Sequence, residues 1–147
     1  MKVLVVNGPN LNMLGKREKD FYGSVTLDDI IEKLTSCANE LGVNLDFFQS
    51  NSEGEIIDKI QQSSDFDGLI LNLGAYTHTS IAIRDALLLL NKPFVEVHLS
   101  NVFQREAFRH KSYISDIAVG VIAGFKEDSY ILALKGLVNI LKSPANR

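Results

Sequence analysis

The most constraining feature of this sequence is a run of four apolar residues, Val3-Leu4-Val5-Val6, with no polar residue among them. A strand with one wet face alternates apolar and polar side chains. An unbroken run fits a strand buried on both faces, as in a parallel sheet covered by helices. The next apolar residues obey a different period. Leu27, Ile30, Ile31, Leu34, Ala38 and Leu41 recur at helical spacing. Thr26 suits the N-cap with acids in the first turn, and Gly42 suits the stop. The two periods then keep alternating. Strands are predicted over residues 43–48, 68–73, 94–99 and 119–123. Helices are predicted around Ile56, Ile57 and Ile60, over 80–90 and over 129–141, the middle one ended by Asn91-Lys92-Pro93.

Five strands separated by helical sequence imply an α/β fold, a doubly wound five-stranded parallel sheet with helices on both faces. The length of 147 residues fits one flavodoxin-like domain over 1–147. Hydrophobic residues make up 46% and charged residues 22%, as in ordinary globular proteins. The net charge of −3 argues against a nucleic-acid partner, which would draw a basic face. The first apolar run is too short for a signal sequence, and no other reaches the length of a membrane span. The single cysteine, Cys37, forms no internal disulfide and suits a reducing compartment. The expectation is a cytoplasmic protein with no membrane partner.

In such a sheet, ligands bind outside the carboxyl ends of the strands, so the segments there carry the functional reading. The one after the first strand, residues 7–23, is long for a strand-to-helix loop. It is not a phosphate loop. Six residues, not four, separate Gly8 from Gly15, and Arg17 stands where a hydroxyl should bind magnesium. A binding lid and a plain solvated loop both remain open on spacing alone. After the third strand, Asn72 is followed by Gly74 and Ala75, small enough for a ligand to approach the backbone. Thr77 or Thr79 is placed to cap the next helix, and His78 to face the crevice. After the fourth strand, period two puts Glu96 and His98 on one side, where the carboxylate would orient the ring. Ser100 and Asn101 begin a helical turn. Arg105 and Arg109, four apart, are expected to share one helix face and to suit an acidic or polyol substrate.

Several chemistries fit poorly. Three histidines without H-E-x-x-H or a cysteine cluster argue against a metal site. There is no G-x-S-x-G elbow, and Cys37 lies inside an amphipathic helix. A phosphoacceptor receiver domain would need acids where Asn7 and Asn72 stand. A flavin carrier would need a hydroxyl-rich loop in place of Pro9-Asn10-Leu11-Asn12. What remains is Tyr22, His98, Asn10, Arg17, Arg105 and Arg109, a set holding a potential acid and a potential base. A tyrosine base needs its pKa of about 10 lowered by roughly 3 units to act near neutrality, and guanidinium neighbours favour phenolate.

At these residues the sequence resembles type II 3-dehydroquinate dehydratases. The matching segments are GPNLNMLG, R-E-x-x-x-Y-G, LNLGAYTHTSIAIRDAL, EVHLSN and REAFRHKSYIS, in the family's order and across essentially the whole chain. The resemblance implies a flavodoxin-like hydro-lyase of the shikimate pathway or of quinate breakdown. It would convert 3-dehydroquinate to 3-dehydroshikimate through an enolate, with no cofactor and no metal. It implies Tyr22 as the base, Arg17 as its activator, Asn10 as holder of a water on the enolate, and His98 as general acid oriented by Glu96. It implies that Asn72, Leu99 and Ser100 hold the carboxylate, that His78 and Arg109 hold ring hydroxyls, and that Arg105 lies near Tyr22. Asp85 matches a residue contributed across a trimer interface, and the expected assembly is a homododecamer, a tetramer of trimers. Lys19 departs from the proline common in the family's lid, and Leu73 from a proline after Asn72. A catalytically dead binding protein on the same scaffold is the alternative.

Overall fold

The computed structural model describes residues 1–16 and 24–143. Five parallel strands form one sheet: β1 (Lys2–Asn7), β2 (Asn44–Gln49), β3 (Gly68–Asn72), β4 (Phe94–His98) and β5 (Gly120–Ala123). Their order is β2-β1-β3-β4-β5. Four α-helices cover it: α1 (Leu27–Leu41), α2 (Glu53–Gln61), α3 (Ile81–Leu90) and α4 (Asp128–Lys142). This is the doubly wound, flavodoxin-like sheet expected from the alternation of periods.

The strand pleat sorts the core into two layers. Val3 and Val5 of β1, Ile70 of β3, and Val95 and Val97 of β4 pack with α1 and α4. Leu4, Val6, Leu69, Leu71 and Phe94 point the other way, into α2 and α3. Each helix meets its layer at helical spacing. On α4 the buried stripe is Tyr130, Ala133, Leu134, Leu137 and Val138; on α1 it is Ile30, Leu34 and Ala38. Burying one such leucine or isoleucine contributes roughly 1.5–3 kcal/mol, so each stripe outweighs local helix propensity.

The ends of α1 follow the sequence signals. Thr26 accepts from the Asp29 N–H, and the Asp29 carboxylate accepts from the Thr26 N–H, a full capping box. Gly42 closes the helix at φ 70°. At α3 the cap differs from expectation. Neither Thr77 nor Thr79 caps it; Ser80 does, its hydroxyl accepting from the Ile83 N–H at 2.9 Å. The residues before it, Gly74–His78, form a 3-10 turn. The expected helix carrying both Arg105 and Arg109 is also absent. Two separate 3-10 turns, Val102–Gln104 and Ala107–Arg109, replace it, because the chain is extended at Arg105 (φ −108°, ψ −167°).

Close approach of β1 and β3 shapes the sheet's carboxyl edge. The Gly8 N–H donates to the Asn72 carbonyl at 2.8 Å. A Cβ on Gly8 would lie 2.3 Å from the Leu73 carbonyl oxygen. Only glycine fits there, and that contact starts the loop carrying Asn10.

Candidate active site

A cavity of about 330 Å³ opens at the carboxyl edge, where the loops after β1, β3 and β4 meet. That is the size of a small-molecule site, and its place outside the sheet's topological switch point is where this architecture binds ligands. Asn10, Asn72, Gly74, Ala75, His78, His98, Leu99, Ser100, Arg105 and Arg109 all line it. Ten of the residues singled out in the sequence thus meet at one cavity.

Glu96 stands behind this lining. It is 2% exposed, and its Oε2 lies 2.5 Å from His98 Nε2. Its other oxygen accepts from Ser112 Oγ at 3.0 Å and Ser115 Oγ at 2.6 Å. Burial alone would push the Glu96 carboxyl up. The bonds from His98, Ser115 and Ser112 outweigh it and hold the carboxyl below the usual range. Glu96 is therefore an anion at neutral pH, accepting on both oxygens. With Nε2 engaged by the carboxylate, Nδ1 is the His98 nitrogen left for the cavity.

His78 stacks beside His98, ring centroids 6.0 Å apart at 19°. Burial lowers its pKa. The Lys111 carbonyl, 2.7 Å from Nδ1, works against that shift, whereas His98 and Arg109 add to it. His78 is thus a neutral ring at pH 7, a hydrogen-bonding group rather than a second cation.

Among the described residues that line the cavity, two arginines bring positive charge, Arg105 and Arg109. The Arg105 side chain is 7% exposed. Arg109 Nε donates to Glu106 at 2.9 Å. Separate turns, rather than one helix face, bring both arginines to the cavity lining. In the loop after β1, Asn10 sits in the left-handed region (φ 70°), and its N–H donates to Asn51 Oδ1 at 3.0 Å. Tyr76 in turn donates to the Asn51 carbonyl at 2.7 Å. This cross-bracing from the loop after β2 was not legible in the sequence. Nor was the contribution of Pro9, Leu11, Met13, Leu14 and Val102, which supply an apolar wall. Their only sequence signal is adjacency to Asn10 and Ser100.

Two placements complete the comparison. Asp85, on the exposed side of α3, is not part of the cavity of its own chain. Arg17 and Tyr22 lie outside the described residues. Among the described residues no group of three or more histidine, cysteine, aspartate or glutamate side chains is arranged to hold a metal ion.

Comparison with known proteins agrees with this geometry. The family model described as dehydroquinase class II matches residues 1–138. The 3-dehydroquinate dehydratase of Prochlorococcus marinus (strain NATL1A) is 62% identical over 143 residues, covering 97% of this chain and 99% of that protein. The 3-dehydroquinate dehydratase of Geotalea daltonii is 55% identical, again over 97% of this chain and 99% of that protein. Among solved structures, the type II dehydroquinase of Butyrivibrio crossotus superposes with a TM-score of 0.91 at 44% identity, covering 95% of this chain and 97% of that one. A matched family model, close relatives and a shared structure agree, and the chain belongs to the class II dehydroquinase family.

Proposed function

We propose that this chain is a hydro-lyase that removes water from 3-dehydroquinate to give 3-dehydroshikimate, a step of the shikimate pathway. The observation that carries the reading is the buried His98–Glu96 pair at a cavity walled by Arg105 and Arg109. It supports a proton donor at His98 beside a site suited to a small, hydroxylated anion.

The chemistry divides into two proton transfers. The C2 proton is α to the C3 ketone, so its removal leaves an enolate. Tyr22 takes this proton, kept basic by Arg17. The electrons of the C2–H bond pass to the C3 oxygen, and Asn10 holds a water that donates to that oxygen. The enolate then collapses and the C1–O bond breaks. Hydroxide is a poor leaving group, so His98 protonates it as water departs. Glu96 orients the ring throughout. Tyr22 ends protonated and His98 deprotonated, and exchange with solvent resets both. Asn72, Ser100 and the backbone of Leu99 and Ser100 hold the substrate carboxylate. Arg109 and neutral His78 hold ring hydroxyls, and Gly74 and Ala75 let the ring approach. Each step is a proton transfer or a hydrogen bond, and the scheme calls on no cofactor.

The assembly proposed is a homododecamer, a tetramer of trimers, in which Asp85 serves a neighbouring subunit's site. Exposed apolar residues on the same helix support a buried role for that face: Ile81, Leu88 and Leu89 are 57%, 50% and 81% exposed in the single chain. We place the protein in the cytoplasm, which suits the free thiol of Cys37.

The test is to add 3-dehydroquinate and follow the ultraviolet absorbance of the conjugated enone. Product formation is expected. Well-folded protein that forms none would make this a ligand-binding relative instead.

A further inference from the structure

Asn7 and Asn72 are register partners on the adjacent strands β1 and β3. By the strand pleat both side chains share the face of Val5 and Ile70, toward α4. There they meet Tyr130, a 0% exposed side chain on the inner stripe of that helix. The Tyr130 hydroxyl lies 2.5 Å from Asn7 Oδ1 and 2.8 Å from Asn72 Nδ2. The mechanism above makes no use of this hydroxyl. Yet one of its two partners, Asn72, is a wall of the cavity.

The direction of every bond in this chain follows from one backbone group. The Gly74 N–H can only donate, and it meets the Asn72 side chain at 3.3 Å. The atom facing it is therefore Oδ1. That turns the Asn72 amide nitrogen toward Tyr130, so the hydroxyl must accept there. Its own proton is then left for Asn7, which must present Oδ1. One hydrogen of Asn72 Nδ2 is used on Tyr130. The second is the polar hydrogen left for the cavity.

We infer that Tyr130 is a positioning residue: with the Gly74 N–H setting the direction, it anchors the Asn72 amide nitrogen so that the cavity meets an N–H donor, not a carbonyl acceptor. The consequence rests on the function proposed above. A donor at Asn72 attracts the substrate carboxylate, and the flipped amide would repel it. Burial raises the Tyr130 pKa, against a smaller lowering by Asn72, so the hydroxyl keeps its proton across the working range.

The experiment is a double-mutant cycle on the full chain with 3-dehydroquinate, accompanied by thermal melts. Tyr130→Phe is expected to raise KM about tenfold, the scale of one misdirected buried hydrogen bond, and to change kcat less, because the carboxylate is held in ground and transition states alike. In an Asn72→Ala background the same substitution should change KM less than about twofold, although it still lowers the melting temperature. A merely structural tyrosine would give equal losses in both backgrounds, and that result overturns the inference; so does an unchanged KM in Tyr130→Phe. Should Tyr130→Phe not fold, Asn7→Leu removes the acceptor that aims the hydroxyl and must raise KM in the same direction. A second readout needs no substrate. By nuclear magnetic resonance the Asn72 side-chain amide proton bonded to Tyr130 should lie downfield, and it should move upfield in Tyr130→Phe; shifts untouched by the substitution overturn the inference. Wild-type protein inactive on 3-dehydroquinate would sink the proposed reaction, while the amide shifts would still decide the role of Tyr130.

Discussion

Glu96 and His98 are two residues apart on one strand, and the pleat alone puts both side chains on one face, 2.5 Å apart. The carboxylate gains its remaining partners from Ser112 and Ser115, far along the chain after β4. A local rule thus creates the pair, and a distant turn keeps its acid ionised. If His98 is the proton donor, His98→Gln should lower kcat by about 10²–10⁴-fold. Glu96→Gln should lower it in the same direction by less. Steady-state turnover of 3-dehydroquinate measures both, and near-normal kcat in His98→Gln removes it as the acid.

The two serines predict a pH effect with a definite sign. The folded Glu96 carboxyl titrates below its ordinary value. Its bonds therefore stabilise the fold above that ordinary value, and the stabilisation is lost as pH falls through the folded value. Ser112→Ala with Ser115→Ala removes two of the lowering bonds and leaves burial less opposed. The doubly substituted protein should then be less stable than the wild type above the ordinary carboxylate value, and should lose less melting temperature as pH falls below it. Superimposable stability–pH curves would show that the hydroxyls do not tune Glu96.

Gly8 tests the β1–β3 contact. Alanine there would set Cβ against the Leu73 carbonyl at 2.3 Å, so one strand end must move. Gly8→Ala should cost about 3 kcal/mol, read as a lower urea midpoint. It should also lower kcat/KM, since the displaced segment carries Asn10.

The assignment of Tyr22 as base predicts that Tyr22→Phe loses at least about 10²-fold in kcat, the usual contribution of a positioned proton acceptor. Binding of a non-reacting substrate analogue, followed by calorimetry, should be largely kept. Loss of binding with folding intact would instead make Tyr22 a binding residue.

Asp85 is exposed and does not line its own chain's cavity, which makes its proposed service to a neighbour testable by mixing. Asp85→Ala and His98→Gln proteins, each weakly active, should regain activity when dissociated and reassembled together, because some sites then hold both native residues. Hybrid assemblies no more active than either parent would place Asp85 outside the reaction.

Much of the fold was legible because burial on two faces imposes a continuous apolar strand and burial on one face imposes helical spacing. Val3 to Val6, the α1 stripe and the Thr26 cap are all local, and the structure follows them. The Arg105–Arg109 helix was misread because spacing four is compatible with a helix but does not require one. The extended backbone at Arg105 breaks it, yet both side chains still reach the cavity. The α3 cap went to Ser80 because Gly74–His78 coils as a tight turn of its own.

By itself the sequence determined the sheet, the segments at its carboxyl edge and the pairing of Glu96 with His98, since each depends on periodicity or neighbouring positions. It could not determine what braces them. Tyr130 reads only as one more core residue of α4, and its hydroxyl acquires meaning because Asn7 and Asn72 fall in register beneath it. Ser112, Ser115 and Asn51 are likewise ordinary loop residues until the chain folds back. Hydrogen-bond partners distant in sequence are chosen by the packing of helices on the sheet, and only the tertiary structure decides that.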